Sequence, residues 1–180
     1  MNYIKITKND IANGPGVRVT LWVSGCNLHC KGCHNPQTWD FDAGQLFNEA
    51  TKQELFEALS KPYIQGITFS GGHPLEDSNL LQVYDLIKEI KQQYPTKDIW
   101  LYTGYNLGIA NFITKLRGIS PECNRHNIIH TILNLCDVVV DGPYIEEQKD
   151  ISLPFCGSRN QRIIDVKKTL EHHKIIKKEF

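Results

Sequence analysis

The chain has no uninterrupted apolar run approaching the ~20 residues that a membrane-spanning helix needs. Its first residues, Met1 to Asp10, hold no signal-peptide core. It lacks net charge as well: 20 Lys and Arg balance 20 Asp and Glu, so composition offers no bulk surface for nucleic acid or membrane. No internal repeat, low-complexity stretch or linker divides it. With 180 residues, 41% of them hydrophobic and 22% charged, the composition is that of one globular domain with a real core. The expected location is cytoplasmic, where six cysteines are thiols or metal ligands rather than disulfides. A second Cys-x-x-Cys pair is also missing.

What is present is one triplet, Cys26-Asn27-Leu28-His29-Cys30-Lys31-Gly32-Cys33, with three and then two residues between the cysteines. Soft thiolates select zinc, copper(I) or iron–sulfur clusters. A structural zinc site takes four protein ligands, usually as two paired knuckles, and one triplet supplies three. Three thiolates on a four-iron cluster leave one iron without a protein ligand, and an open iron can bind substrate. The triplet follows Val17 to Val23, an apolar run interrupted by Arg18 that reads as a strand. The loop leaving the carboxyl end of a strand is where α/β folds hold their ligands. A zinc knuckle completed by His29, His34 or His73, or three unligated thiols, are the alternatives. Cys123, Cys136 and Cys156 are spaced too widely for a second motif and read as buried or loop thiols.

Tyr3 to Lys8 alternates and reads as a short edge strand. Asn13-Gly14-Pro15-Gly16-Val17-Arg18 reads as a tight turn, a lip beside the triplet with Arg18 available for a carboxylate or an acidic partner. Thr51-Lys52-Gln53-Glu54 has the form of a capping box, opening a helix with Leu55, Phe56 and Leu59 on its apolar face and Pro62 past its end. Gly66 to Phe69 reads as a strand running into Ser70-Gly71-Gly72-His73-Pro74-Leu75-Glu76, where paired glycines let the backbone approach a ligand. Asp77 or Ser78 caps the next helix, whose Leu80, Val83, Tyr84, Ile87 and Ile90 keep a 3.6-residue period. Ile99 to Tyr102 is a third strand, opening into Thr103-Gly104-Tyr105. Ile109, Phe112, Ile113 and Leu116 form a helical stripe closed by Gly118, and Ile128 to Leu135 suggests a further helix. Val138 to Val140 is a short buried strand ending in Asp141-Gly142-Pro143-Tyr144, with Asp141 facing the rim. Arg162 to Ile164 reads as a last strand, and the tail from Val166 as a frayed, solvated end.

Helices and strands thus alternate, which predicts parallel strands joined by crossover helices. The chain is short for a complete eight-fold barrel. The expected fold is α/β, an open partial (β/α) barrel forming one domain over 1–180. Loops 26–34, 70–75, 103–105 and 141–144 are expected to converge on one rim.

These stretches resemble the activating enzymes of anaerobic (class III) ribonucleoside-triphosphate reductases, in the radical S-adenosylmethionine (SAM) superfamily. The resemblance is carried by Gly14-Pro15-Gly16-Val17-Arg18, the triplet with His34-Asn35-Pro36, Ser70-Gly71-Gly72, Trp100-Leu101-Tyr102-Thr103-Gly104-Tyr105, Val140-Asp141-Gly142 and Gly157-Ser158-Arg159-Asn160-Gln161-Arg162. It spans residues 13–165. It implies a radical SAM domain in which Cys26, Cys30 and Cys33 hold a [4Fe–4S] cluster and SAM chelates the fourth iron. It further implies reductive cleavage of SAM, with an electron donor such as flavodoxin, and a glycyl radical generated on the large reductase subunit. No protein general base is needed.

The SAM contacts it implies are Gly71, Gly72 and His73, with Gly32, His34 and Tyr102 near the adenine. Two of these depart from the family pattern. His73 stands where a carboxylate is common, and a neutral imidazole accepts only one hydrogen bond; its other reading is a solvent-facing turn residue. Gly32 stands where an aromatic ring is common, leaving the adenine to backbone, His34 or Tyr102. The rival readings are an activase for another glycyl-radical enzyme, such as pyruvate formate-lyase, and an electron-transfer iron–sulfur protein. The Gly-Ser-x-Asn-Gln-Arg block disfavours the first; the second needs a fourth ligand.

Overall fold

The computed structural model describes residues 1–113 and 125–180. Seven strands form one sheet: β1 (Asn2–Asp10), β2 (Val17–Val23), β3 (Gln45–Leu46), β4 (Ile64–Gly71), β5 (Asp98–Tyr102), β6 (Val138–Asp141) and β7 (Arg162–Asp165). Their order is β3-β1-β2-β4-β5-β6-β7. The helices are α1 (Glu49–Leu59), α2 (Asp77–Gln93), α3 (Ala110–Ile113), α4 (Arg125–Leu135) and α5 (Val166–His172). None of the described helices is long and apolar enough to cross a membrane.

β2, β4, β5 and β6 run parallel, and the segments between them carry the helices, as crossover connections require. The flanks are antiparallel, which the expectation of a parallel sheet did not include: β1 with β2 and β3, and β7 with β6. Only residues 11–16 separate β1 from β2. That connection is too short for a crossover, so the pair must fold back on itself. Nor is the strand beginning near Tyr3 an edge, since β1 lies between β2 and the short β3.

Alternation along the central strands sorts two faces. Val19, Leu21, Ile67, Phe69, Ile99, Leu101 and Val139 join the main core with Val83, Ile87 and Ile90 of α2 and Ile132 and Leu133 of α4. Trp100, Val138, Val140 and Ile163 form a second cluster. Arg18 is not available to a partner: it is fully buried. Its guanidinium donates to Thr68 Oγ1 at 2.8 Å, Pro15 O at 2.9 Å and Asp98 Oδ1 at 2.6 Å, and lies over the Trp100 ring. A buried guanidinium is tolerable only when paired in this way. Arg18 therefore clamps the Gly14–Gly16 turn to the sheet.

Local starts differ from expectation by a few residues. α1 is capped by Asn48, whose side chain accepts from Thr51 N, rather than by Thr51. α2 begins at Asp77 with Glu76 in the cap position and no side-chain cap bond. The tail is not frayed. Asp165 caps α5 by accepting from Lys168 N at 3.0 Å, and the returning chain pairs with β7 through Asp165 N to Ile176 O at 2.9 Å and Lys178 N to Ile163 O at 2.7 Å. Of the stripe from Ile109 to Gly118, α3 covers Ala110–Ile113, Ile109 precedes it in a turn, and residues 114–118 lie outside the described residues.

Candidate functional site

Because β2, β4, β5 and β6 are parallel, their carboxyl ends share one edge. The four loops leaving those ends meet there around a cavity of about 360 Å³. Cys26, Cys30, Cys33 and His34 line it from the first loop, Gly71, Gly72 and His73 from the second, Tyr102 and Thr103 from the third, and Gly142 and Tyr144 from the fourth. Ala12 and Asn13 contribute from before the Gly14–Gly16 turn, so the expected lip is there although Arg18 is not part of it.

The Gly71–Gly72 wall is held by backbone bonds, Gly72 N to Val23 O and His73 N to Gly25 O, both at 2.8 Å. Both positions need glycine. Gly71 has φ +102°, and a Cβ there would lie 2.7 Å from Val23 O; one on Gly72 would lie 2.6 Å from Gly25 O.

Across the cavity, Cys26 is buried and Cys30 and Cys33 are half-buried. Burial pushes the Cys26 thiol up, while the backbone N–H groups of Leu28 and His29 pull it down. Asn35 N donates to Cys33 Sγ at 3.4 Å. N–H donors aimed at sulfur are among the levers that tune cysteine-ligated clusters. Among the described residues no three His, Cys, Asp or Glu side chains converge closely enough to hold one metal ion. Of the histidines that could complete a zinc knuckle, His73 is bound at both nitrogens, while the rings of His29 and His34 pack on Trp39 and Tyr144. Three thiols around a cavity of this size suit a wider group, such as an iron–sulfur cluster. Trp39 Nε1 and Tyr144 Oη, on two lining side chains, are buried without a partner among the described residues.

The remaining residues singled out in the sequence fall into three groups. His73 is not solvent-facing; it is 2% exposed. Its Nε2 is 2.8 Å from Thr103 Oγ1 and its Nδ1 3.3 Å from Glu76 Oε1. Burial holds its pKa below the usual value despite Glu76, so the ring is neutral. With a carboxylate on Nδ1, the proton sits there and Nε2 accepts from the Thr103 hydroxyl. Neither nitrogen is left for a ligand's ammonium group.

Gly32, with φ +72°, is not among the lining residues; it lies against the Glu146 side chain. Asp141 is fully buried rather than facing the rim. It receives Arg162 Nε at 2.9 Å and Leu107 N at 2.8 Å, and so joins β6 to β7. His34 and Tyr102 do line the cavity. The Tyr102 hydroxyl donates to Phe155 O at 2.9 Å, and burial raises its pKa well above the usual range.

Sequence reasoning missed two contributors. Leu153, Phe155 and Cys156 close one side of the cavity, where the sequence marks Cys156 only as a buried or loop thiol and the other two not at all. Burial pushes the Cys156 thiol up to about 11. Glu76 is 7% exposed and accepts from Asn27 N at 3.2 Å and Asn27 Nδ2 at 3.1 Å, joining the glycine turn to the cysteine loop. No local signal marks its tie to the cysteine loop, because Asn27 lies 49 residues away.

A thiol-lined cavity at the carboxyl edge of a parallel sheet describes a class, and the comparisons agree with it: the family described as 4Fe-4S single cluster domain matches residues 12–164. Relatives narrow it further. The chain is 39% identical over 165 residues to the anaerobic ribonucleoside-triphosphate reductase-activating protein of Haemophilus influenzae, covering 91% of this chain and 97% of that one. It is 39% identical over 163 residues to the protein of the same name from Enterobacteria phage T4, covering 91% and 93%. The Escherichia coli K12 protein of that name is also 39% identical over 163 residues, covering 89% and 96%. The chain belongs to the family of anaerobic ribonucleoside-triphosphate reductase-activating proteins.

Proposed function

We propose that this protein is the radical SAM enzyme that activates an anaerobic ribonucleoside-triphosphate reductase by generating a glycyl radical on its large subunit. The observation that carries the proposal is the meeting, in one cavity, of three thiols from one strand-end loop with the side-chain-free backbone of Gly71 and Gly72. The relatives that cover nearly the whole chain bear the activating-protein name. On this reading residues 1–180 form a single radical SAM domain, its open sheet being the partial barrel of that superfamily.

Cys26, Cys30 and Cys33 hold a [4Fe–4S] cluster. Bound there together with SAM, the cluster would supply one-electron reductive chemistry for removing a hydrogen atom from a glycine of the reductase. The chain's own part is to bind, orient and exclude competing reactions. Gly71 and Gly72 leave room for the methionine end of SAM against the backbone. His73 braces the turn that carries them and does not receive the ammonium. His34 and Tyr102 provide ring faces, and Leu153 and Phe155 cover one side against water. The partners are the large reductase subunit and a low-potential electron donor such as flavodoxin, and the protein acts in the cytoplasm.

The test mixes the anaerobically reconstituted protein with reductant, SAM and the reductase of the same organism, and looks for a glycyl radical by electron paramagnetic resonance. The expected radical depends on both SAM and reductant. A reductase that acquires none, while a known activase radicalises it, overturns the proposal.

A further inference from the structure

We propose that Glu76 is a positioning residue for the cysteine loop and a fixed negative charge beside it; this deepens the cluster reading above and rests on it. Glu76 occupies the cap position of α2, where a side chain ordinarily accepts from the helix's first amides. It makes no such bond. Its carboxylate turns the other way and takes both donors of Asn27, the residue after Cys26, at 3.2 and 3.1 Å, together with His73 Nδ1 at 3.3 Å. Two bonds to one residue, one from its backbone and one from its side chain, fix both the position and the rotation of Asn27. The chain of bonds continues through His73 Nε2 to Thr103 Oγ1 at 2.8 Å, which in turn receives Tyr105 N at 3.2 Å. Three of the four loops around the cavity are thereby one hydrogen-bonded unit with Glu76 at its branch point.

The cysteine loop needs such a tie. Asn27, Leu28 and His29 are exposed, and His29 has a φ of +44°. Asn27 gains no burial energy of its own to hold it in place. The donors Glu76 receives are neutral groups, so the bonds hold the carboxylate without cancelling its charge. At 7% exposure that charge is poorly screened by water. It sits against Asn27, the residue that follows Cys26. Its field opposes adding an electron to a cluster held there, and local charge is one of the determinants of cluster potential. Glu76 thus makes the reduced centre a stronger one-electron donor.

The test requires neither SAM nor reductase. Wild type, Glu76→Gln, Glu76→Ala and Asn27→Ala are reconstituted anaerobically with iron and sulfide. Iron content, the rate of iron loss to a chelator and the midpoint potential are then measured. Glu76→Gln, which removes the charge and keeps an acceptor, is expected to raise the midpoint potential. Glu76→Ala is expected to lose iron several-fold faster than wild type. Asn27→Ala alters an exposed side chain without threatening the fold, and is expected to show part of the faster loss with the potential unmoved. A Glu76→Gln potential equal to wild type overturns the charge role. Iron retention in Glu76→Ala and Asn27→Ala equal to wild type overturns the positioning role. Wild type that takes up no iron fails at an earlier point, by refuting the cluster reading itself.

Discussion

The two walls of the cavity are built on different terms. The glycine wall, from Ser70 to Glu76, is the continuation of a central strand. Its amides bond to Val23 and Gly25, and its side chains from His73 to Glu76 are buried. The cysteine wall, from Asn27 to Cys33, has five exposed residues of seven and one internal backbone bond, Cys33 N to Cys30 O at 3.1 Å. One wall is finished by folding. The other is held at its ends and completed by what it binds, as metal-coupled sites are. Changes in the cysteine wall should therefore remove chemistry and spare the fold, and changes in the glycine wall should damage the fold itself.

The sharpest way to break that contrast is Cys30→Ser. It is expected to abolish cluster binding and SAM cleavage while the metal-free protein unfolds at the wild-type urea midpoint. Retained SAM cleavage would refute the ligand assignment. Gly71→Ala is expected to do the reverse. A Cβ in that left-handed backbone, against the Val23 backbone, costs roughly 2 kcal/mol or more of metal-free stability by urea unfolding. Gly32→Ala sharpens the pair, because its neighbour is the end of a flexible glutamate side chain; its cost is about 1 kcal/mol, from the left-handed backbone alone.

A pH titration separates the walls again. The buried His73 binds its proton more weakly than in the unfolded chain, whose ordinary value is 6.5. Below that value the unfolded chain takes up a proton that the folded ring refuses. Its contribution to stability is complete above the unfolded value and falls as pH drops through it, by at most about 1.4 kcal/mol per pH unit. His73→Gln should flatten that slope in metal-free protein. The smallest effect belongs to Lys31→Ala. Its pair with Glu147 at 3.3 Å is solvent-exposed, so the expected urea midpoint is that of wild type.

The same contrast explains what the sequence could disclose. The triplet, the paired glycines and the four loop positions are local patterns, and strand periodicity was enough to place them on one edge. The partners of buried polar groups are not local. Arg18 meets Thr68 and Asp98, 50 and 80 residues away, and His73 meets Thr103, 30 residues away. A charge inside an apolar run therefore looks like an exit to solvent until the neighbouring strand supplies its acceptors. Asp141 misled for the same reason, since its ion pair with Arg162 forms only when β7 turns antiparallel to β6. The α1 cap failed differently. Asn48 and Thr51 are both good cap residues, and local sequence alone does not choose between them.

The measurement that bears most directly on the account is the assay for 5′-deoxyadenosine after anaerobic reconstitution with iron and sulfide, with SAM and reductant added together and separately. The expected result is product formed only when both are present, by wild type and not by Cys30→Ser. A fully assembled cluster that leaves SAM intact with both present, even when the reductase is added, would contradict the account and point to simple electron transfer.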